Sequence, residues 1–178
     1  MTGCLLPMVI NRQHRFRIAL KPLEAFLRRA RRELGLSGRE LTICLVSDAA
    51  IARMNRAFRG KRGPTDVLSF PAGGAELRRG RGAAEAERDG GEAYARKREV
   101  ARRARGGQNR SSTSYLGDVA ISAETARRNA RRLGRSLPYE LRVLMLHGVL
   151  HLAGYDHEAD GGEMDRLELR LRERLGLS

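Results

Sequence analysis

Three of the four histidines in this 178-residue chain, His147, His151 and His157, fall within eleven residues. His147 and His151 are four apart on a segment whose apolar pattern predicts a helix, so both imidazoles leave one face about 6 Å apart along its axis. Two nitrogens at that spacing can share a metal ion with bonds of about 2.0–2.1 Å. Gly154 can take the positive φ that ends a helix, and the turn it permits returns His157 to the same centre as a third ligand. Three neutral imidazoles leave one position of a tetrahedral ion open to water, which is the arrangement of a catalytic metal and not of a closed structural one. Zinc suits this donor set best, although nickel and copper are allowed by ligand type. A lone histidine on an apolar helix face is ordinarily a core residue, and the isolated His14 is given no role. Three histidines at these spacings are a different matter.

The spacing H-x-x-x-H-x-x-G-x-x-H is also that of metzincin proteases. Those enzymes need Glu directly after the first His, as the base that takes a proton from water. Gly148 stands there instead, so a protease reading keeps its metal and loses its base. No other carboxylate is obviously placed for that task. Asp156, next to His157, reads as a turn residue or as support for the ligand beside it.

A second cluster runs from Asn55 to Pro71 and carries Arg59, Lys61 and Arg62. A guanidinium holds phosphate oxygens through two parallel hydrogen bonds, which suits a phosphodiester bound beside a metal. Taken alone, such a stretch is a helix-to-strand loop with solvated charges.

These groups must be positioned by one modest domain. The chain is long enough for a single hydrophobic core, which with 4% aromatics and no Trp must rest on Leu, Val, Ile and Ala. Strands are expected over Leu5–Ile10, Leu41–Val46, Asp66–Phe70 and Tyr115–Ser122. The run LTICLV at Leu41–Val46 reads as a strand buried on both faces, with Cys44 buried inside it. Helices are expected over Pro22–Leu34, from a Ser47-Asp48 cap through Phe58, over Ala123–Leu133, from Pro138 to Ala153, and over Gly162–Leu175. Between Ala72 and Ser114 the composition shifts to Gly, Ala, Arg and Glu, which reads as a flexible or partly helical basic insertion in one domain spanning residues 1–178. The fold class is α+β, a small mixed four-stranded sheet covered by about five helices, with the zinc site on the penultimate helix and the turn after it.

The formal charge of +14 favours polyanionic partners, nucleic acid before anionic membrane. Cys4 and Cys44 form no disulfide framework, and the start of the chain lacks a basic leader, so a reduced cytoplasmic protein with no membrane partner is expected.

The two clusters together resemble the YbeY family, the bacterial endoribonuclease or rRNA maturation factor. HGVLHLAGYDH (His147–His157) is similar to its histidine signature, PTDVLSFP (Pro64–Pro71) to a second block, and LGDVAIS (Leu116–Ser122) to a third. The resemblance implies a zinc-dependent, single-strand-specific endoribonuclease acting in 16S rRNA 3′-end maturation and ribosome quality control, with single-stranded RNA and the small ribosomal subunit as partners. It implies that His147, His151 and His157 hold one zinc ion and that Arg59 is the functional arginine. The basic insertion of roughly 40 residues is longer than the loop expected there. Two other classes stay open at this point. One is a ribosome-assembly RNA-binding factor whose zinc is mainly structural, and the other is a metzincin-like protease.

Overall fold

The computed structural model describes residues 8–72, 115–155 and 162–177. Among these the elements run β1 (Val9–Asn11), α1 (Leu20–Glu33), β2 (Glu40–Val46), α2 (Asp48–Arg59), β3 (Val67–Pro71), β4 (Tyr115–Ser122), α3 (Ala123–Arg132), α4 (Leu137–Leu152) and α5 (Glu163–Leu175). The order is the one expected, and the fold is α+β. The first strand is the main shift in position, since it begins at Val9 and residues 5–7 lie outside the described ones. The basic insertion also lies outside them, apart from Ala72, whose N–H donates to the Leu116 carbonyl at 2.8 Å.

The sheet order is β1-β2-β4-β3. β1, β2 and β4 are parallel, and β3 is an antiparallel edge strand against β4. Register aligns Ile43 with Val119 and Leu45 with Ile121, and these four buried residues face α4 and its neighbouring helices. The opposite face carries Thr42 and Cys44 of β2, Ala120 of β4, and Leu68 and Phe70 of β3. Only α2 covers it among the described elements, through Ile51 against Val46, Leu68 and Ala120. This explains a departure from expectation. The LTICLV run is not buried on both faces: Leu41, Ile43 and Leu45 are, whereas Thr42 and Cys44 are half-buried because one helix covers only part of that side. Cys44 is accordingly a half-buried free thiol.

Ten of the sixteen residues of α4 are buried, so this helix is apolar nearly all round. It lies on β3 and β4 and is flanked by α1, α3 and α5. Ser47, Ser122 and Ser136 cap α2, α3 and α4, each accepting from the backbone N–H three residues on. Asp48 then ties two helix starts together. Its carboxylate accepts from the Ser122 hydroxyl, from Thr125 Oγ1 at 2.7 Å and from Arg128 at 2.7 Å, while its own N–H donates to Glu124 at 2.8 Å. Burial alone would raise the Asp48 carboxyl, but donation from Arg128, Ser122 and Thr125 outweighs it and holds the group below the usual carboxylate range. Among the described residues, no helix is long and apolar enough to cross a membrane.

Candidate metal centre and basic loop

The histidines owe their geometry to how α4 ends. Gly154 adopts φ 96°, a conformation open to glycine at little cost. Its N–H donates to the His151 carbonyl at 3.1 Å, and the Tyr155 N–H donates to the Leu150 carbonyl at 3.1 Å. This is a Schellman closure, which satisfies carbonyls that a helix end would leave bare. It has a second effect, because the reversed chain sets the Tyr155 carbonyl 3.0 Å from His151 Nδ1. On the other ring, His147 Nδ1 lies 3.0 Å from Glu168 Oε2 of α5. The Glu168 side chain is 7% exposed, and its other oxygen accepts from Arg172 one turn on. Burial would push this carboxyl up, yet the hydrogen bond to His147 and the charge of Arg172 prevail and hold it low.

A carbonyl and a carboxylate only accept, so each ring donates from Nδ1, and its neutral form presents a lone pair at Nε2. The two Nε2 atoms lie 3.2 Å apart, with the rings nearly perpendicular at 77°. Two lone pairs that close are held together by a shared cation, either a proton in an Nε2–H···Nε2 hydrogen bond or a metal ion between them. A tetrahedral ion with nitrogen bonds of about 2.0–2.1 Å would separate its ligands by about 3.3 Å. The pair therefore fits a metal, and its Nδ1 contacts are those that metal-bound imidazoles ordinarily make. His157 and Asp156 lie outside the described residues, and among the described ones no three His, Cys, Asp or Glu converge.

Gly148 is explained by contact as well as by chemistry. A Cβ there would stand 2.5 Å from Val119 Cγ1, and the Gly148 carbonyl accepts from Ser69 Oγ at 3.2 Å. The position packs against the sheet. A glutamate at 148 would be driven into β4.

Arg59 ends α2, Gly60 closes that helix at φ 66°, and Arg59, Lys61 and Arg62 are all exposed. The loop is pinned from inside by buried Asn55, whose Nδ2 donates to the Gly63 carbonyl at 3.0 Å. Asp66 secures its far end, accepting from the Val67 N–H at 2.9 Å while its carbonyl takes the Ser122 N–H at 2.8 Å. α2 and α4 pack on opposite faces of the sheet, so Arg59, at the end of α2, and the two histidines, on α4, belong to elements on opposite sides of it. His147 and His151 are thus brought together, whereas Arg59, Lys61 and Arg62 are exposed at and after the end of α2. A separate open groove of about 790 Å³ lies toward the other end of α4, edged by Arg15, Arg127 and Arg142 over Phe16, Leu137 and Pro138, and includes neither histidine.

Glu168 was not among the residues expected from sequence. The available signal was a glutamate within the apolar spacing Met164, Leu167, Leu171, Leu175, where a buried charge needs a partner.

Comparison with known proteins agrees with the motif resemblance. The Endoribonuclease YbeY family model matches residues 9–176. The chain belongs to that family. Curated YbeY relatives include the endoribonuclease YbeY of Koribacter versatilis, 38% identical over 170 residues, covering 96% of this chain and 86% of that protein. That of Solibacter usitatus is 37% identical over 155 residues, covering 87% and 78%. That of Geobacter sulfurreducens is 34% identical over 170 residues, covering 95% and 93%. A Thermotoga maritima protein solved in solution shares the fold with a TM-score of 0.54 at 23% identity, covering 94% of this chain and 89% of that one.

Proposed function

We propose that this protein is a zinc-dependent, single-strand-specific endoribonuclease acting in 16S rRNA 3′-end maturation and ribosome quality control in the cytoplasm, with the small ribosomal subunit as partner. The observation that carries the reading is the pair of Nε2 atoms 3.2 Å apart with both Nδ1 atoms held by acceptors. Membership of a family whose curated relatives are named endoribonucleases supplies the substrate class, and the +14 charge agrees with it.

His147, His151 and His157 would hold the ion. When bound, zinc supplies Lewis acidity toward a phosphoryl oxygen and acidifies water toward neutral pH. Glu168 and the Tyr155 carbonyl keep the Nδ1 protons in place, so both Nε2 lone pairs stay directed inward without rearrangement. Arg59, with Lys61 and Arg62 beside it, opposes the charge that develops on the phosphate. The test is cleavage of single-stranded RNA by metal-replete wild type, His147→Ala and Arg59→Ala. Both variants should lose most cleavage, and equal cleavage by all three would overturn the reading. A 2′,3′-cyclic phosphate on the product would identify the RNA 2′-OH as nucleophile and exclude direct attack by water.

A further inference from the structure

We propose that Phe58 is a base-stacking residue for single-stranded RNA, the aromatic member of a basic surface formed with Arg56, Arg59, Lys61 and Arg62. The inference rests on the RNA reading above and adds the residue through which an unpaired base is held. Phe58 is 40% exposed, the one aromatic among the large exposed apolar side chains of the described residues. The chain has four Phe, four Tyr and no Trp, so an aromatic ring left in water here is a conspicuous use of a scarce residue. Its ring meets Phe70 edge to face, with centroids 4.9 Å apart and planes at 68°. Phe70 in turn packs beside Leu68, Val46, Ile51 and Ala120. Phe58 is therefore braced from one side and wet on the other.

The surroundings select a polyanion that carries flat apolar rings. Four cations lie between positions 56 and 62, and no acid lies between them. The nearest carboxylates in sequence are engaged elsewhere, Asp48 with Arg128, Ser122 and Thr125, and Asp66 with Thr65 and Val67. Charged arms that follow the phosphates and an aromatic that takes a base are the combination by which proteins hold single strands with little regard to sequence. The backing is fixed, since α2 is anchored at its start by Asp48 and its following loop is pinned by Asn55 to Gly63. β3 links the platform to the helix that carries His147 and His151. Phe70 faces the α2 side, while its neighbour Ser69 faces α4 and bonds the Gly148 carbonyl between the two histidines. A base stacked on Phe58 leaves its backbone to cross this edge toward His147 and His151. A paired base is already stacked on both faces, so the same contact discriminates against duplex.

The absence of tryptophan makes the test direct. In Phe58→Trp the indole is the sole tryptophan of the full chain, and it is titrated with a 2′-O-methyl oligoribonucleotide, checked to be intact after the titration, and with its blunt duplex. The single strand should quench the indole and the duplex should not. Phe58→Ala should bind the single strand about ten- to a hundredfold more weakly with the salt dependence of binding unchanged. Arg59→Ala should instead lower the slope of log K against log salt by about one. Wild-type binding of the single strand with Phe58→Ala equal to it would overturn the stacking role and leave the RNA reading standing. Failure of the wild type to bind any single strand would overturn both. An indole response to an acidic peptide and none to RNA would overturn the proposal in favour of a protein partner.

Discussion

His147 and His151 sit on the most enclosed of the described helices, and each ring is fixed from behind by a contact made elsewhere in the chain, a turn carbonyl for one and a buried carboxylate for the other. Arg59 at the end of α2, and Lys61 and Arg62 on the loop after it, stand exposed on a backbone that is pinned while the side chains reach into solvent. The difference follows from what each must bind. A metal ion demands donor atoms fixed to a few tenths of an ångström, which a packed helix and oriented imidazoles would provide. A phosphodiester chain is long and mobile, and cations on flexible stems bind it through charge over a range of positions.

If that contrast is right, damage to the enclosed region is all-or-none and damage to the exposed one is graded. The largest effect is expected for His147→Ala, which removes one of two converging donors. RNA cleavage should fall by more than the roughly 10–100-fold typical of changes behind a ligand, with bound zinc measured alongside. Next comes Glu168→Gln, which keeps the shape of the side chain and removes its charge. Zinc affinity, measured by competition with a chromogenic chelator, should fall about 10–100-fold, while the thermal midpoint of the metal-free protein changes far less. Unchanged affinity would mean that Glu168 serves packing alone.

Asp48→Asn tests the scaffold of the basic loop. The carboxyl lies below its ordinary range in the folded protein, so its contribution is fully present above the unfolded pKa and is lost as pH falls through the folded one. Denaturant unfolding should show the variant about 1–3 kcal/mol less stable at pH 7, with the gap closing as the pH is lowered into the acid range. A gap independent of pH would rule out the charge as its source. The smallest effect is expected for Arg62→Ala, a loss of about 0.7–0.9 from the salt slope of RNA binding with folding and zinc affinity unaltered. A loss of zinc affinity in that variant would break the separation of the two regions.

The same contrast governs what could be read from sequence. The element order was legible because alternating and helical apolar periods are local, and Ser47 and Gly154 announced their roles through residue type alone. The imidazole pair was legible because its spacing is a property of one helix. Glu168 was not, since its contact with His147 spans 21 positions and depends on how α5 lies against α4. The partial exposure of Thr42 and Cys44 was equally hidden, because an apolar run does not reveal how much of the sheet a neighbouring helix will cover. The side of β3 on which Arg59 falls is decided by the packing of α2, which no motif encodes.

The contact between Gly148 and Val119 also bears on what this scaffold could become. Replacing Gly148 with glutamate would restore the protease motif on paper, and by residue type the descent from nuclease to peptidase looks one substitution long. The 2.5 Å approach obstructs that path, since a side chain added at 148 meets Val119 of the sheet at once. Such a variant would first have to rotate α4 or hollow out β4, losing stability before it gained a base. The two chemistries are neighbours in motif space and strangers on this fold.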